Sequence, residues 1–352
     1  MVGCSQTASS PVNRRLGTVS ACFVATIFVH GMGSGVLAVS AKREMTIGDV
    51  ASSGRGSSPV LTTLAADLGG SRLKVAVVRG RSVEHLAIVP VGEDATTTLL
   101  TSLQRLLDHV AADRIGLALP GIVRHGRVLS LPGKLSGVAG RAVADLVEQR
   151  FGMRCLVFND AIAAGVGEAR FGAGSQHNHV LVLTIGTGVG VCVLDRGRPI
   201  GSGPLAGGIL GGFIPIAHSS ALADSNGGRG TIEALCAASC IVNQAGHLYS
   251  DVAAVYAASA AAEGPALAAL DRYRADLVCA IVALVHAHGV EIVVVTGGVI
   301  TASGPILDGV EEAVNRRLFE GVNIEVRRGT LHSAAALLGI NALLDDNEGM
   351  RS

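Results

Sequence analysis

Tryptophan is absent from the 352 residues, tyrosine and phenylalanine together number ten, and charged side chains make up only 16%. Modules that grip sugars or single strands by ring stacking need exposed aromatics, and ten rings shared between cores leave few to spare. Neither sign of charge is in excess, since 28 basic side chains face 28 acidic ones. Binding nucleic acid takes a surplus of Lys and Arg to neutralise phosphates, so no nucleic-acid partner is expected. No stretch reaches the ~18–20 uncharged apolar residues of a membrane span, and no membrane partner is expected either. The seven cysteines are odd in number and form no CxxC pair, which excludes a disulfide framework and points to a reducing, cytoplasmic compartment. Cys236 and Cys240 read as small buried hydrophobes on one helix face, not as a metal site. Neither the Walker pattern GxxxxGK[ST] nor a strand-positioned GxGxxG occurs, which argues against P-loop and Rossmann sites.

What is present is apolar and rich in glycine: 49% hydrophobic residues and 47 glycines. At roughly 150 residues per domain, the length allows about two domains, each with its own core. Residues 1–60 differ from the rest, holding ten serines and eight glycines with no sustained period. Arg14–Arg15 followed by the apolar run Val19–Val29 has the outline of a secretory signal. The reading preferred is a disordered or spurious N-terminal extension, with the working chain starting at Met45. The segment shows no pair of helices with a tight turn, so no helix-turn-helix is expected.

From Leu61 the pattern becomes regular. Strands are expected at Leu61–Asp67, Leu73–Val78 and Val83–Val89, then a helix at Ala95–Val110 capped by Asp94. Strand Arg114–Leu119, a helix near Val138–Phe151, strand Cys155–Phe158 and helix Ala161–Phe171 follow. A second half opens with strand Val180–Ile185. It continues through an Ala-rich helical region broken at Gly264–Pro265, strand Ile292–Thr296 and a closing helix near Ser333–Leu344. The class is α/β with mixed sheets. A repeat runs through it: Asp67-Leu-Gly-Gly-Ser71 and Arg79–Arg81 recur 117 residues later as Thr184-Ile-Gly-Thr-Gly188 and Arg196–Arg198. A duplicated domain accounts for the matching offsets.

Strands that end in glycines expose consecutive backbone N–H groups and suit phosphate oxygens, although such turns are also common as plain tight turns. The first, Gly69–Gly70–Ser71, follows Asp67, a carboxylate able to hold hydrated Mg²⁺. The second is Gly186–Thr187–Gly188 after Thr184, and the third is Gly297–Gly298 after Thr296. Asn159–Asp160 stands where a strand meets a helix. An Asx cap explains that pair. So does phosphoryl transfer to an alcohol, with Asp160 as general base and Asn159 orienting the acceptor.

This ordered set, Asp67–Ser71, Leu119–Gly121, Asn159–Ala161, Thr184–Gly190 and Thr296–Gly298, resembles the ROK family of sugar kinases and related repressors over about residues 61–345. The resemblance implies a two-lobed actin-like (ribonuclease-H-like) ATPase fold with ATP and Mg²⁺ in the cleft. The lobes would be 61–161, joined by helix 333–345, and 162–332. It makes Asp160 the catalytic base, with Asn159, Asp160 and Glu233 as substrate ligands. Asp67 would serve Mg²⁺ through water, and Gly69, Gly70, Ser71, Thr184, Gly186, Thr187 and Gly188 the phosphates. Gly297 and Gly298 would lie by the adenosine, and a homodimer is implied. A simple helix N-terminal carboxylate is the other reading of Glu233.

Two departures stand out. Gly208 and Gly211 occupy the places of the Glu and His in the family's Gly-Glu-x-Gly-His stretch. Asp224–Glu233 occupies the place of its zinc motif without the cysteines, so no zinc site is expected. A site that loses polar groups admits acceptors lacking their partners. The expected acceptor is therefore a C7-cyclitol of valienone, validone or valiolone type, phosphorylated on its exocyclic CH₂OH in aminocyclitol antibiotic biosynthesis. The alternatives are a glucokinase or N-acetylmannosamine kinase and, second, a sugar-sensing member without catalysis.

Overall fold

The computed structural model describes residues 60–130, 135, 137–301 and 305–349; the expectations for residues 1–59 lie outside them. The first sheet starts as an antiparallel meander of β1 (Thr62–Leu68), β2 (Arg72–Arg79) and β3 (Ser82–Pro90). Six of the seven β1 residues are buried, which is why its sequence is an apolar run rather than an alternation. Asp94 starts α1 (Ala95–Leu107) by accepting from the amides of Thr96 and Thr97. That helix buries Leu99 and Leu103 on the sheet and returns the chain to β4 (Arg114–Leu119), parallel to β1. A small hairpin, β5 (Ile122–Arg124) and β6 (Arg127–Ser130), precedes α2 (Val143–Phe151) and β7 (Cys155–Asn159), which is parallel to β4.

The helix expected near Val138–Phe151 begins only at Val143. Residues 137–141 instead run back along β6, where Gly140 N donates to Val128 O and Val128 N to Arg141 O. Gly137 and Gly140 supply the positive φ this return needs.

The chain then passes through α3 (Asp160–Phe171) and repeats the plan. β8 (His179–Ile185), β9 (Val189–Asp195) and β10 (Arg198–Pro199) form the second meander. A 3₁₀ segment within Gly203–Phe213, broken by non-helical backbone at Ala206–Gly208, leads to α4 (Ile232–Cys236), α5 (Ala238–Gln244), α6 (Val252–Ala260) and α7 (Gly264–His288). Cys236 and Cys240 thus sit on two successive short helices, not on one face of a single helix. β11 (Ile292–Thr296), α8 (Gly298–Thr301), α9 (Val310–Asn315), β12 (Glu325–Arg328) and α10 (Ala335–Gly349) complete the fold. The sheet orders correspond strand for strand, β3-β2-β1-β4-β7 and β10-β9-β8-β11-β12. β1 and β8 start 117 residues apart, at Thr62 and His179, so the sequence repeat is a structural one.

Each sheet hands its last strand to a helix that leans on the other half. α3 leaves β7 yet packs Val166 and Ala169 against Val180 and Val182, while α10 leaves the second sheet and packs Leu337 and Ile340 against Ala65 and Ala118. The two helices cross backbone to backbone. A Cβ on Gly167 would fall 2.0 Å from Ala335 O, and one on Gly339 would fall 1.8 Å from Ala163 O. Arg114, buried in β4, secures α10 to the first sheet: its Nε donates to Thr63 Oγ1 at 2.9 Å and its Nη2 to Asn341 Oδ1 at 3.1 Å. The same guanidinium is ion-paired with Asp345 and Glu348. These partners make the buried charge tolerable.

Candidate active site

Parallel strands β1, β4 and β7 end on the same edge of the first sheet, and three expected site residues gather there. Lys74, Asp67, Ala118 and Phe158 lie side by side across β2, β1, β4 and β7. Asp67 is 8% exposed, and its Oδ2 lies 2.8 Å from Lys74 Nζ. Gly69 N donates to Arg72 O at 2.9 Å and closes the turn, while Gly70 and Ser71 are exposed. Asn159 is buried and divided between two tasks. Its Oδ1 caps α3 by accepting from Ile162 N at 3.0 Å, and its Nδ2 donates to Gly121 O at 2.9 Å. One amide hydrogen of Asn159 is left for a ligand. Asp160 follows as the first residue of α3, two strand spacings, roughly 10 Å, from the β1 end.

The second lobe brings its turns to the same helix end. A Cβ on Gly190 would fall 2.7 Å from Ala161 Cβ and 3.7 Å from Thr184 Cβ, so β9 approaches the start of α3 only because residue 190 is glycine. Thr184, opposite Gly190, is thereby carried toward Ala161 at the start of α3, and its buried hydroxyl has no hydrogen-bond partner. Gly186 N donates to Gly188 O at 2.9 Å, and Thr187 is exposed at the tip. The third turn abuts the second: Thr296 pairs with Thr184, and a Cβ on Gly297, which has φ +103°, would sit 2.2 Å from Ile185 O. Behind Gly298, Tyr256 donates to Val299 O at 3.0 Å and Arg328 to Ile300 O. Burial pushes the Tyr256 hydroxyl up to about 12, which keeps it a donor.

The structure gives the surroundings of Gly208, Gly211 and Glu233, the residues singled out around the acceptor. A Cβ on Gly208 would point at Val193, 3.7 Å away, and one on Gly211 at Val191, 2.9 Å away. Gly211 thus makes room for β9, whereas Gly208, with φ +68°, has Val193 and, at 3.9 Å, His288 only in ordinary contact. The 3₁₀ segment that carries Gly211 also meets β5 of the first lobe. Glu233, in the first turn of α4, is 7% exposed and already holds three donors: Val189 N at 3.0 Å, Ser225 N at 3.0 Å and Ser225 Oγ at 2.5 Å.

The loop before Glu233 is organised by a carboxylate. Asp224 accepts from Asn226 N, Gly228 N and Thr231 Oγ1 at 2.8–2.9 Å. Gly230, with φ +64°, lets the loop lie against Ala217, whose carbonyl oxygen a Cβ would meet at 1.8 Å. Among the described residues no three or more His, Cys, Asp or Glu side chains group as metal ligands. Sequence reasoning missed Lys74, Ser225 and the buried Glu168, which accepts from the amides of Ala173, Thr330 and Leu331. Only Lys74 had a local signal: a hairpin closed at Gly69–Arg72 places it opposite Asp67.

Two duplicated α/β lobes joined by crossed helices, with glycine turns at their strand ends, define the actin-like fold. Within that fold class, the ROK family model matches residues 63–347, and the chain belongs to the ROK family. It is 26% identical over 318 residues to the glucokinase of Thermotoga maritima, covering 83% of this chain and 99% of that protein. An N-acetylmannosamine kinase of Escherichia coli is 31% identical over 153 residues, 42% of this chain and 52% of that one. A ROK family glucokinase from Streptomyces griseus, solved with glucose and AMPPNP, matches in fold with a TM-score of 0.71. That match has 23% identity and spans 80% of this chain and 98% of the other.

Proposed function

We propose that this chain is an ATP- and Mg²⁺-dependent kinase that phosphorylates the primary hydroxyl of a hexose or N-acetylhexosamine. The observation carrying this reading is Asp160, set at the N-terminus of α3 where β7 of the first lobe ends and Gly190 of the second packs against Ala161. Asp160 accepts the proton of the attacking hydroxyl as its oxygen bonds to the γ-phosphorus and the bond to the ADP oxygen breaks. Asn159, braced by Gly121 O, offers its remaining amide hydrogen to the acceptor. The unpartnered Thr184 hydroxyl and the open side of Gly186 fit phosphate oxygens. Asp67 would hold the hydrated Mg²⁺, which supplies charge compensation on the phosphates.

The lobes in this reading are 61–161 with helix 333–345, and 162–332, closing over the acceptor to exclude water. The protein acts as a cytoplasmic homodimer; five free cysteines among the described residues are in keeping with a reducing compartment. A hexose is favoured over a C7-cyclitol because packing against Val191 of β9 already accounts for Gly211, without an opened pocket. The relatives named as glucokinase and N-acetylmannosamine kinase support the same choice.

ADP release is the test, with Mg-ATP and glucose, mannose, N-acetylmannosamine, valienone and validone as acceptors. Turnover on a hexose or N-acetylhexosamine is expected. Turnover confined to the carbasugars would return the acceptor to the cyclitol class, and silence on all five with AMPPNP still bound would favour a sensor.

A further inference from the structure

Only three of the 28 basic residues are lysines, and Lys74 is the only lysine among the described residues, Lys42 and Lys134 lying outside them. In a chain that writes nearly all its cations as arginine, this one lysine stands in the middle of a sheet, cross-strand from Asp67. Of the other β2 residues on its face, Arg72 lies exposed at the turn, whereas Ala76 and Val78 are fully buried and apolar. An apolar residue at 74 would continue that face. The Lys74 side chain is 30% exposed and that of Asp67 12%, and ion pairs of this kind contribute little net stability. The sheet therefore gains little from the pair. The glycine turn two residues away is a better reason for it.

We propose that Lys74 is a phosphate-binding residue of the donor site, a deepening that rests on the kinase reading above. Lys74 is paired with Asp67 at 2.8 Å, so it offsets a carboxylate charge beside the ATP phosphates that the hydrated Mg²⁺ would otherwise have to shield alone. A cation shared between Asp67 and the phosphate oxygens weakens the repulsion between them. It also adds positive charge where the transferring phosphoryl group spreads its own. Lysine suits the task because its ammonium is a compact point charge with three donors on a flexible stem, so it can hold Asp67 and a phosphate oxygen together. Arginine's flat fork would engage the carboxylate with both arms. Gly70 and Ser71, exposed beside the pair, leave the approach open.

Calorimetric binding of two probes, AMPPNP with Mg²⁺ and adenosine, tests the assignment on the full chain and on Lys74→Met. The expected result is a tenfold or greater loss of AMPPNP affinity with adenosine affinity changed less than twofold. Equal AMPPNP affinity in the two proteins, even with a lowered Tm, would make Lys74 a purely structural partner of Asp67 and overturn the proposal. If Lys74→Met does not fold, Lys74→Gln keeps a polar partner for Asp67 and carries the same comparison. A wild-type protein that binds neither probe overturns the nucleotide reading itself, an outcome distinct from failure of Lys74 alone.

Discussion

Glu233 accepts the amide hydrogen of Val189 at 3.0 Å, joining the first turn of α4 to the residue that follows the Gly186–Gly188 turn. The bond is buried, and the same carboxylate holds Ser225 through two more donors. Removing it strands the Val189 amide away from water. Glu233→Ala is expected to lower stability by roughly 2–3 kcal/mol, the cost of an unsatisfied buried donor plus charge-assisted bonds. Urea unfolding measures this, and a loss under 0.5 kcal/mol would show that the carboxylate is free for another role.

Asp160 is proposed as the base, and the isosteric change isolates that role. Asp160→Asn should lower turnover about 10²–10⁴-fold, the usual contribution of a general base. Thermal stabilisation by AMPPNP should persist, because ligand binding to the native state raises Tm whether or not chemistry follows. Near-normal turnover would remove Asp160 from the reaction.

Where α3 and α10 cross, Gly167→Ala and Gly339→Ala each place a methyl about where a carbonyl oxygen already stands. Overpacking against backbone costs about 1–3 kcal/mol or more, since no side chain can rotate away. Gly264→Ala, with nothing within 4 Å at the start of α7, is the control and should be neutral or mildly stabilising. Equal Tm values for all three would contradict the close crossing.

The Asp224 loop is held by hydrogen bonds to the Asp224 carboxylate. Treatment with a zinc chelator should leave the unfolding midpoint unchanged, whereas Asp224→Ala should lower it by several degrees. A midpoint that drops with chelator and recovers with Zn²⁺ would reveal ligands that this geometry does not contain.

Burial separates the thiols. It pushes the Cys240 thiol up to about 11, and Cys192 and Cys236 well above the ordinary range, while Cys279 is exposed. Thiolates react and thiols do not. Cys279→Ser should therefore remove one fast-reacting equivalent from a thiol titration of the native protein, and Cys192→Ser none.

The residues themselves determined the repeated strand–turn–strand, the helix begun by Asp94 and the strand-to-helix junction at Asn159–Asp160. Each of these is local: glycine is needed where the backbone turns, an Asx side chain where amides lack partners, and an apolar run where a strand is buried on both faces. The start of α2 escaped because apolar spacing near Val138 resembles a helix, while a backbone pairing with Val128 claims those residues first. Tertiary structure alone decided that Gly211 packs against Val191, which donors Glu233 holds, and that Gly167 and Gly339 bear the helix crossing. It also brought Gly190, and Thr184 opposite it, against Ala161 at the start of α3. These relationships join parts of the chain that no short-range period links, and close packing of the two lobes is what brings them together.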